Sequence, residues 1–131
     1  MRAVVAQRPG GPEVLELVEV PDPQPGPGEV VVRVAVAGVN FIDTYRRSGV
    51  YRMTFPHVVG SEGAGEVIAV GPDVTTLRPG QRVCWSSSAG SYADLAVVRA
   101  ADAIVIPPGV DDETAAALAM QGMTAHYLTV S

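Results

Sequence analysis

Few side chains in this 131-residue chain carry strong chemistry: one cysteine, two histidines and four tyrosines. Cys84 has no second cysteine to pair with, which excludes an internal disulfide and any zinc site built on several thiolates. Flanked by Val83 and Trp85, it reads as a buried apolar residue and not as a nucleophile. His57 follows Pro56 at a strand entry, and His126 falls in a helical stretch where a histidine packs more often than it reacts. The densest set of hydrogen-bonding side chains is Asn40, Asp43, Tyr45 and Tyr51. Taken one by one, Asn40 can cap a short helix, and Asp43 reads as a helix-surface or orienting carboxylate in preference to a general base. Tyr45 and Tyr51 can pack an aromatic edge with their hydroxyls in water. Gly60, Gly63 and Gly65 suit tight turns and close backbone approach, not phosphate binding, because no helix N-terminus follows them. No G-x-G-x-x-G opens a strand–turn–helix unit, so the chain holds no dinucleotide-binding domain.

These side chains must be positioned by short, valine-rich strands. Fourteen glycines and eleven prolines mark the turns. Arg2 to Ala6 and Val14 to Val20 read as two strands around Pro9-Gly10-Gly11-Pro12. The run Pro21 to Gly28 is a loop, because proline supplies no N–H to a ladder. Glu29 to Val39 is the strongest strand, with Val30, Val32, Val34 and Val36 on one face. Ala64 to Val70, Gln81 to Trp85, Tyr92 to Val98 and Ala103 to Ile106 complete the set. The spacing predicts a mainly β, closed or partly closed unit. Asn40 to Ser48 predicts a short helix ending at Gly49. A second helix starts after an Asp111 cap and runs to Met120; Gly122 interrupts it, and Met123 to Val130 resume as helix. That last helix breaks off at Ser131 without a cap or stop signal, which reads as a cut and not as a natural end.

Composition sets outer bounds. Nearly half of the residues are apolar, enough for a core. The net charge of −5 and the scatter of nine basic residues argue against nucleic acid; Arg46 and Arg47 read as a solvated corner. No run approaches the about 18 apolar residues that span a membrane, and no signal peptide opens the chain. The expectation is a soluble, cytoplasmic protein.

Three blocks carry a resemblance. They are Gly38-Val39-Asn40-Phe41-Ile42-Asp43-Thr44-Tyr45-Arg46-Arg47-Ser48-Gly49 with Tyr51 beyond; Gly60-Ser61-Glu62-Gly63-Ala64-Gly65-Glu66-Val67 followed by Pro79-Gly80-Gln81-Arg82-Val83; and Ala115 to Ala119 leading into Met120-Gln121-Gly122-Met123-Thr124-Ala125-His126-Tyr127. In order and spacing they resemble the N-terminal, GroES-like domain of the medium-chain dehydrogenase/reductase superfamily. Zinc-dependent members place cysteine, histidine and cysteine where this chain has Asn40, Ser61 and Met120. Amide, hydroxyl and thioether are poor zinc ligands, so the resemblance implies no catalytic zinc, and Glu62 alone makes no site. The run from Val39 to Tyr45 is most similar to the zinc-independent quinone oxidoreductase, or zeta-crystallin-like, group.

That resemblance implies a GroES-like, partly closed β-barrel over residues 1–120, and the start of a helix, residues 121–131, leading to a Rossmann domain that the chain lacks. It implies NADPH as cofactor, held mainly by that domain, and quinones or conjugated enones as substrates. It places Asn40, Asp43, Tyr45 and Tyr51 at the nicotinamide and substrate, and Asn40, Gln121, Gly122, Met123 and Thr124 at the cofactor. A homo-oligomer is expected, because a helix lacking its covering partner should expose Met123, Tyr127 or Leu128. Two other readings stand beside it: an enoyl-type double-bond reductase and a stand-alone GroES-like binding module.

Overall fold

The structure, a computed structural model, describes residues 1–130. The chain runs through β1 (Arg2–Ala6), a 3-10 turn (Pro12–Val14), β2 (Leu15–Glu19), β3 (Glu29–Ala37), α1 (Phe41–Ser48), β4 (His57–Val58), β5 (Gly63–Val70), β6 (Arg82–Trp85), β7 (Leu95–Arg99), β8 (Ile104–Val105) and α2 (Asp112–Val130). β-Branched side chains favour the pleated strands, and the glycine and proline clusters end them.

All pairings are antiparallel and fall into two sheets, ordered β2-β1-β4 and β7-β3-β5-β6-β8. They meet along one seam. An isolated bridge joins Ala3 to Ala93, Val4 N–H donates to the Tyr92 carbonyl, and Asp94 N–H donates to the Arg2 carbonyl. The ladder does not close among the described residues, so the unit is mainly β with open sheet edges in place of a barrel. The expected strand from Tyr92 shortens for the same reason: Tyr92 to Asp94 bond to β1, and regular pairing with β3 starts only at Leu95.

The valine face of β3 holds only in part: Val30, Val32 and Val34 face the main core, but the register shift between Val34 and Val36 turns Val36 onto the second cluster, and Val31 on the other face is buried as well. Val30 and Val32 pack with Val67, Val83, Trp85, Ala96 and Val98 in the main core. A second cluster sets Ala115, Ala116 and Ala119 of α2 on Ala64, Cys84 and Ile106. Small residues let the helix lie close to the sheet, and Arg82 fastens its first turn with bonds of 2.7 and 2.9 Å to Asp112. Asp111 caps α2, accepting the Thr114 N–H at 2.7 Å, and the bonds from Thr114 hold its carboxyl below the ordinary range. The expected break at Gly122 does not occur, since α2 runs unbroken to Val130. One internal glycine costs only about 1 kcal/mol, less than the docking of the alanine face supplies. Ser131, the last residue of the expected 121–131 segment, lies outside the described residues.

Among the described residues no helix is long and apolar enough to cross a membrane. Met123, Tyr127, Leu128 and Val130 are exposed on α2. His126 is exposed there too, so it is not a core histidine. Where β5 pairs with β3, Gly65 lies against the Arg33 backbone carbonyl, leaving no room for a Cβ. Gly65→Ala is therefore expected to destabilise the fold by about 1–3 kcal/mol, read as a lower urea midpoint at unchanged slope.

Candidate functional site

The turn entering β5 carries Ser61 and Glu62 into the space between α1 and the middle of α2. Glu62 is completely buried, which a carboxylate tolerates only when its oxygens are satisfied. Oε2 accepts the Asn40 amide Nδ2 at 2.6 Å, and Oε1 accepts the backbone N–H of Met120 at 2.9 Å. One side chain thus ties α1, β5 and α2 together. Gly38 leaves the room: a Cβ there would strike the Glu62 carboxylate. On the outer side of Asn40, Oδ1 accepts the Gln121 amide Nε2 at 2.9 Å.

A second polar group lies behind the first. Asp43 is 5 % exposed. It accepts the Asn40 backbone N–H at 3.3 Å and so closes the first turn of α1, whose far end stops at Gly49 in the left-handed conformation. Its Oδ1 accepts the Ser61 hydroxyl at 2.5 Å, and the Ser61 oxygen in turn accepts Arg46 Nη1 at 2.5 Å. The Tyr92 hydroxyl reaches Asp43 Oδ2 at 3.5 Å. Burial raises the Tyr92 pKa first, and the Asp43 charge adds to it. Burial likewise raises the Cys84 thiol pKa, in line with an inert, packed cysteine.

Two sequence expectations change here. Asp43 is not on a helix surface; it is a buried, orienting carboxylate. Arg46 and Arg47 are not a solvated corner. Both are half-buried, Arg46 on Ser61 and Arg47 donating to the Gly10 carbonyl at 3.2 Å.

Asn40, Phe41, Gln121, Thr124 and Leu128 line an open cleft of about 470 Å³ between α1 and α2. Of the expected cofactor residues, Asn40, Gln121 and Thr124 therefore share one cleft. Met123 faces a different hollow, beside Cys84 and Ile104, and Gly122 is half-buried in the helix without lining either. Tyr45 and Tyr51 stand outside the cleft, 44 % and 52 % exposed, with ring centroids 5.9 Å apart in a T-shaped contact. Neither hydroxyl has a partner among the described residues. Asn40, Ser61 and Met120 do converge on the Asp43–Glu62 region, but no group of three or more His, Cys, Asp or Glu side chains able to hold a metal ion occurs among the described residues. Sequence reasoning missed Glu62 as the hub, and Arg46 and Tyr92 as members. The available signal was a lone carboxylate flanked by glycines in an otherwise apolar strand entry.

Comparison with known proteins bears on the fold. Residues 26–131 match the family model described as alcohol dehydrogenase GroES-like domain. A quinone oxidoreductase from Pseudomonas aeruginosa is 47 % identical over 121 residues, covering 91 % of this chain and 37 % of that protein. A 2-haloacrylate reductase from a Burkholderia species is 40 % identical over 133 residues, covering 96 % of this chain and 40 % of that protein. The crystal structure of Escherichia coli quinone oxidoreductase complexed with NADPH superposes with a TM-score of 0.96 at 36 % identity, covering 100 % of this chain and 41 % of that one. The chain thus spans about two fifths of the length of the relatives it matches. Fold and sequence agree that this chain belongs to the alcohol dehydrogenase GroES-like domain family, and it is similar there to quinone oxidoreductases and related reductases.

Proposed function

We propose that this chain is the substrate-facing domain, residues 1–120 with the connecting segment 121–131, of a longer NADPH-dependent oxidoreductase acting on quinones or conjugated enones. The observation that carries it is the cleft itself, where paired amides and a threonine hydroxyl border an apolar wall. That lining suits a flat, uncharged dihydronicotinamide ring and its carboxamide. No basic side chain lines the cleft, so phosphate binding falls to the further domain expected of such an enzyme. Bound there, NADPH supplies hydride.

This chain's residues then do three things. Asn40, Gln121 and Thr124 bind and orient the ring through neutral hydrogen bonds. Phe41 and Leu128 exclude water from one side of it. Tyr45, whose ring centroid lies 6.4 Å from that of the cleft residue Phe41, and Tyr51 against it offer hydroxyl donors able to stabilise negative charge developing on an acceptor oxygen. A quinone spreads that charge over its ring and needs less electrophilic help than a plain ketone, so neutral donors suffice without a zinc ion. Asp43 acts behind them as the carboxylate that holds α1. The exposed Met123, Tyr127, Leu128 and Val130 of α2 support self-association of this chain.

A second reading, reduction of an activated carbon–carbon double bond, is favoured by the likeness to the haloacrylate reductase. Both are tested by following NADPH oxidation by the full-length enzyme with a benzoquinone, an enone and a simple alcohol–ketone pair, with and without a chelator. The quinone should turn over fastest, and chelation should leave the rate unchanged. Folded enzyme that oxidises NADPH with neither quinone nor enone overturns the proposal; chelator-sensitive turnover overturns its metal-free chemistry.

A further inference from the structure

We propose that Glu62 is a positioning residue that fixes the polarity of two amides in series, Asn40 and Gln121, so that the cleft is offered an amide oxygen and selects a ligand N–H. An amide side chain has nearly the same shape either way round, and only its partners decide where nitrogen and oxygen point. Here the deciding partner is buried. Both Glu62 oxygens accept, Oε1 from Met120 N–H at 2.9 Å and Oε2 from Asn40 Nδ2 at 2.6 Å. Turning Asn40 over would set its Oδ1 against Glu62 Oε2, two acceptors with no proton between them, in a place without water to relieve them. Nδ2 must therefore face inward and Oδ1 outward.

The second amide inherits the choice. Asn40 Oδ1 can only accept, so Gln121 must present its nitrogen, which donates at 2.9 Å. That leaves Gln121 Oε1 pointing away from Asn40, on a residue that lines the cleft. The acceptor character of a carboxylate with no exposed surface is passed through two neutral groups to the cleft wall, and no charge is placed in the cleft. On the functional reading above, on which this step rests, the N–H that such an acceptor selects is that of the nicotinamide carboxamide.

The polarity and the function can be tested apart. In the 131-residue chain without ligand, the Asn40 Nδ2 proton facing Glu62 should resonate downfield and exchange slowly by NMR. In Glu62→Gln, which keeps the shape and mixes donor with acceptor, that signature should vanish at little change in melting temperature. In the full-length enzyme, fluorescence titration should show Glu62→Gln weakening NADPH binding about tenfold, the scale of one neutral hydrogen bond, with kcat at saturating NADPH changing far less. The double variant Glu62→Gln with Asn40→Asp puts an acceptor back at position 40, paired to a donor at 62, and should restore most of the affinity. Ordinary, fast-exchanging Asn40 amide protons in the unaltered chain overturn the polarity assignment, whether or not any variant folds. Equal losses of affinity in the single and double variants, or no loss in the single, also overturn it by reducing Glu62 to packing. Unaltered full-length enzyme that keeps the NMR signature but fails to bind NADPH overturns the functional reading instead.

Discussion

Asp43→Ala is expected to lower the free energy of unfolding by about 3 kcal/mol, a large share of the roughly 5–15 kcal/mol of a typical domain. Three losses coincide. The Asn40 N–H at the start of α1 loses its acceptor, worth about 1 kcal/mol. The Ser61 hydroxyl, on a residue 1 % exposed, loses the oxygen it donates to, which costs about 1–3 kcal/mol. Arg46 keeps only Ser61 as partner and loses the nearby negative charge. These terms share atoms and will not simply add, but burial makes the unpaired Ser61 hydroxyl dominate over the cap. Urea denaturation of the 131-residue chain checks it. A loss below about 1 kcal/mol would show that Asp43 matters only as a cap and that Ser61 and Arg46 find other partners.

Tyr45→Phe and Tyr51→Phe should do the reverse, sparing the fold and slowing the chemistry. Each hydroxyl is without a partner among the described residues, and the T-shaped ring contact survives the change, so stability should shift by less than about 0.5 kcal/mol. If the hydroxyls stabilise charge on the acceptor oxygen, each loss should lower quinone turnover by the full-length enzyme by about 10- to 1000-fold. The two tyrosines need not contribute equally. Their rings touch, so the double variant should fall short of the product of the singles. Unchanged quinone kinetics in both variants would return the pair to an aromatic edge.

The strand framework was legible because its signals are local. Alternating valines from Val30 to Val34, the turns at Pro9-Gly10-Gly11-Pro12 and Pro79-Gly80, and the Asp111 cap each report on a few neighbouring residues, and each stands where expected. The failures share a different cause. Gly122 signals a break, but the docking of Ala115, Ala116 and Ala119 lies outside any local window. Tyr92 to Asp94 have strand character, yet their partner is β1 across a sequence distance of about ninety residues.

The sequence alone determined the family resemblance, the mainly β architecture, and the identities of Asn40, Asp43, Gln121 and the tyrosine pair as the groups worth watching. It also determined what chemistry is on offer: neutral donors and carboxylates in place of thiolates. Tertiary structure alone decided which of these groups meet. Glu62 lies 22 positions from Asn40 and 58 from Met120, and nothing in that spacing says that one carboxylate will satisfy both. Only when β5 is paired and α2 has docked does Glu62 lose its water, and only then must it find two donors. The same burial decides between the two readings of Asp43, making it the orienting anchor of Ser61 and not a helix-surface carboxylate. Desolvation is a property of the packed fold and not of any segment, so the hub of the site came into view only with the structure.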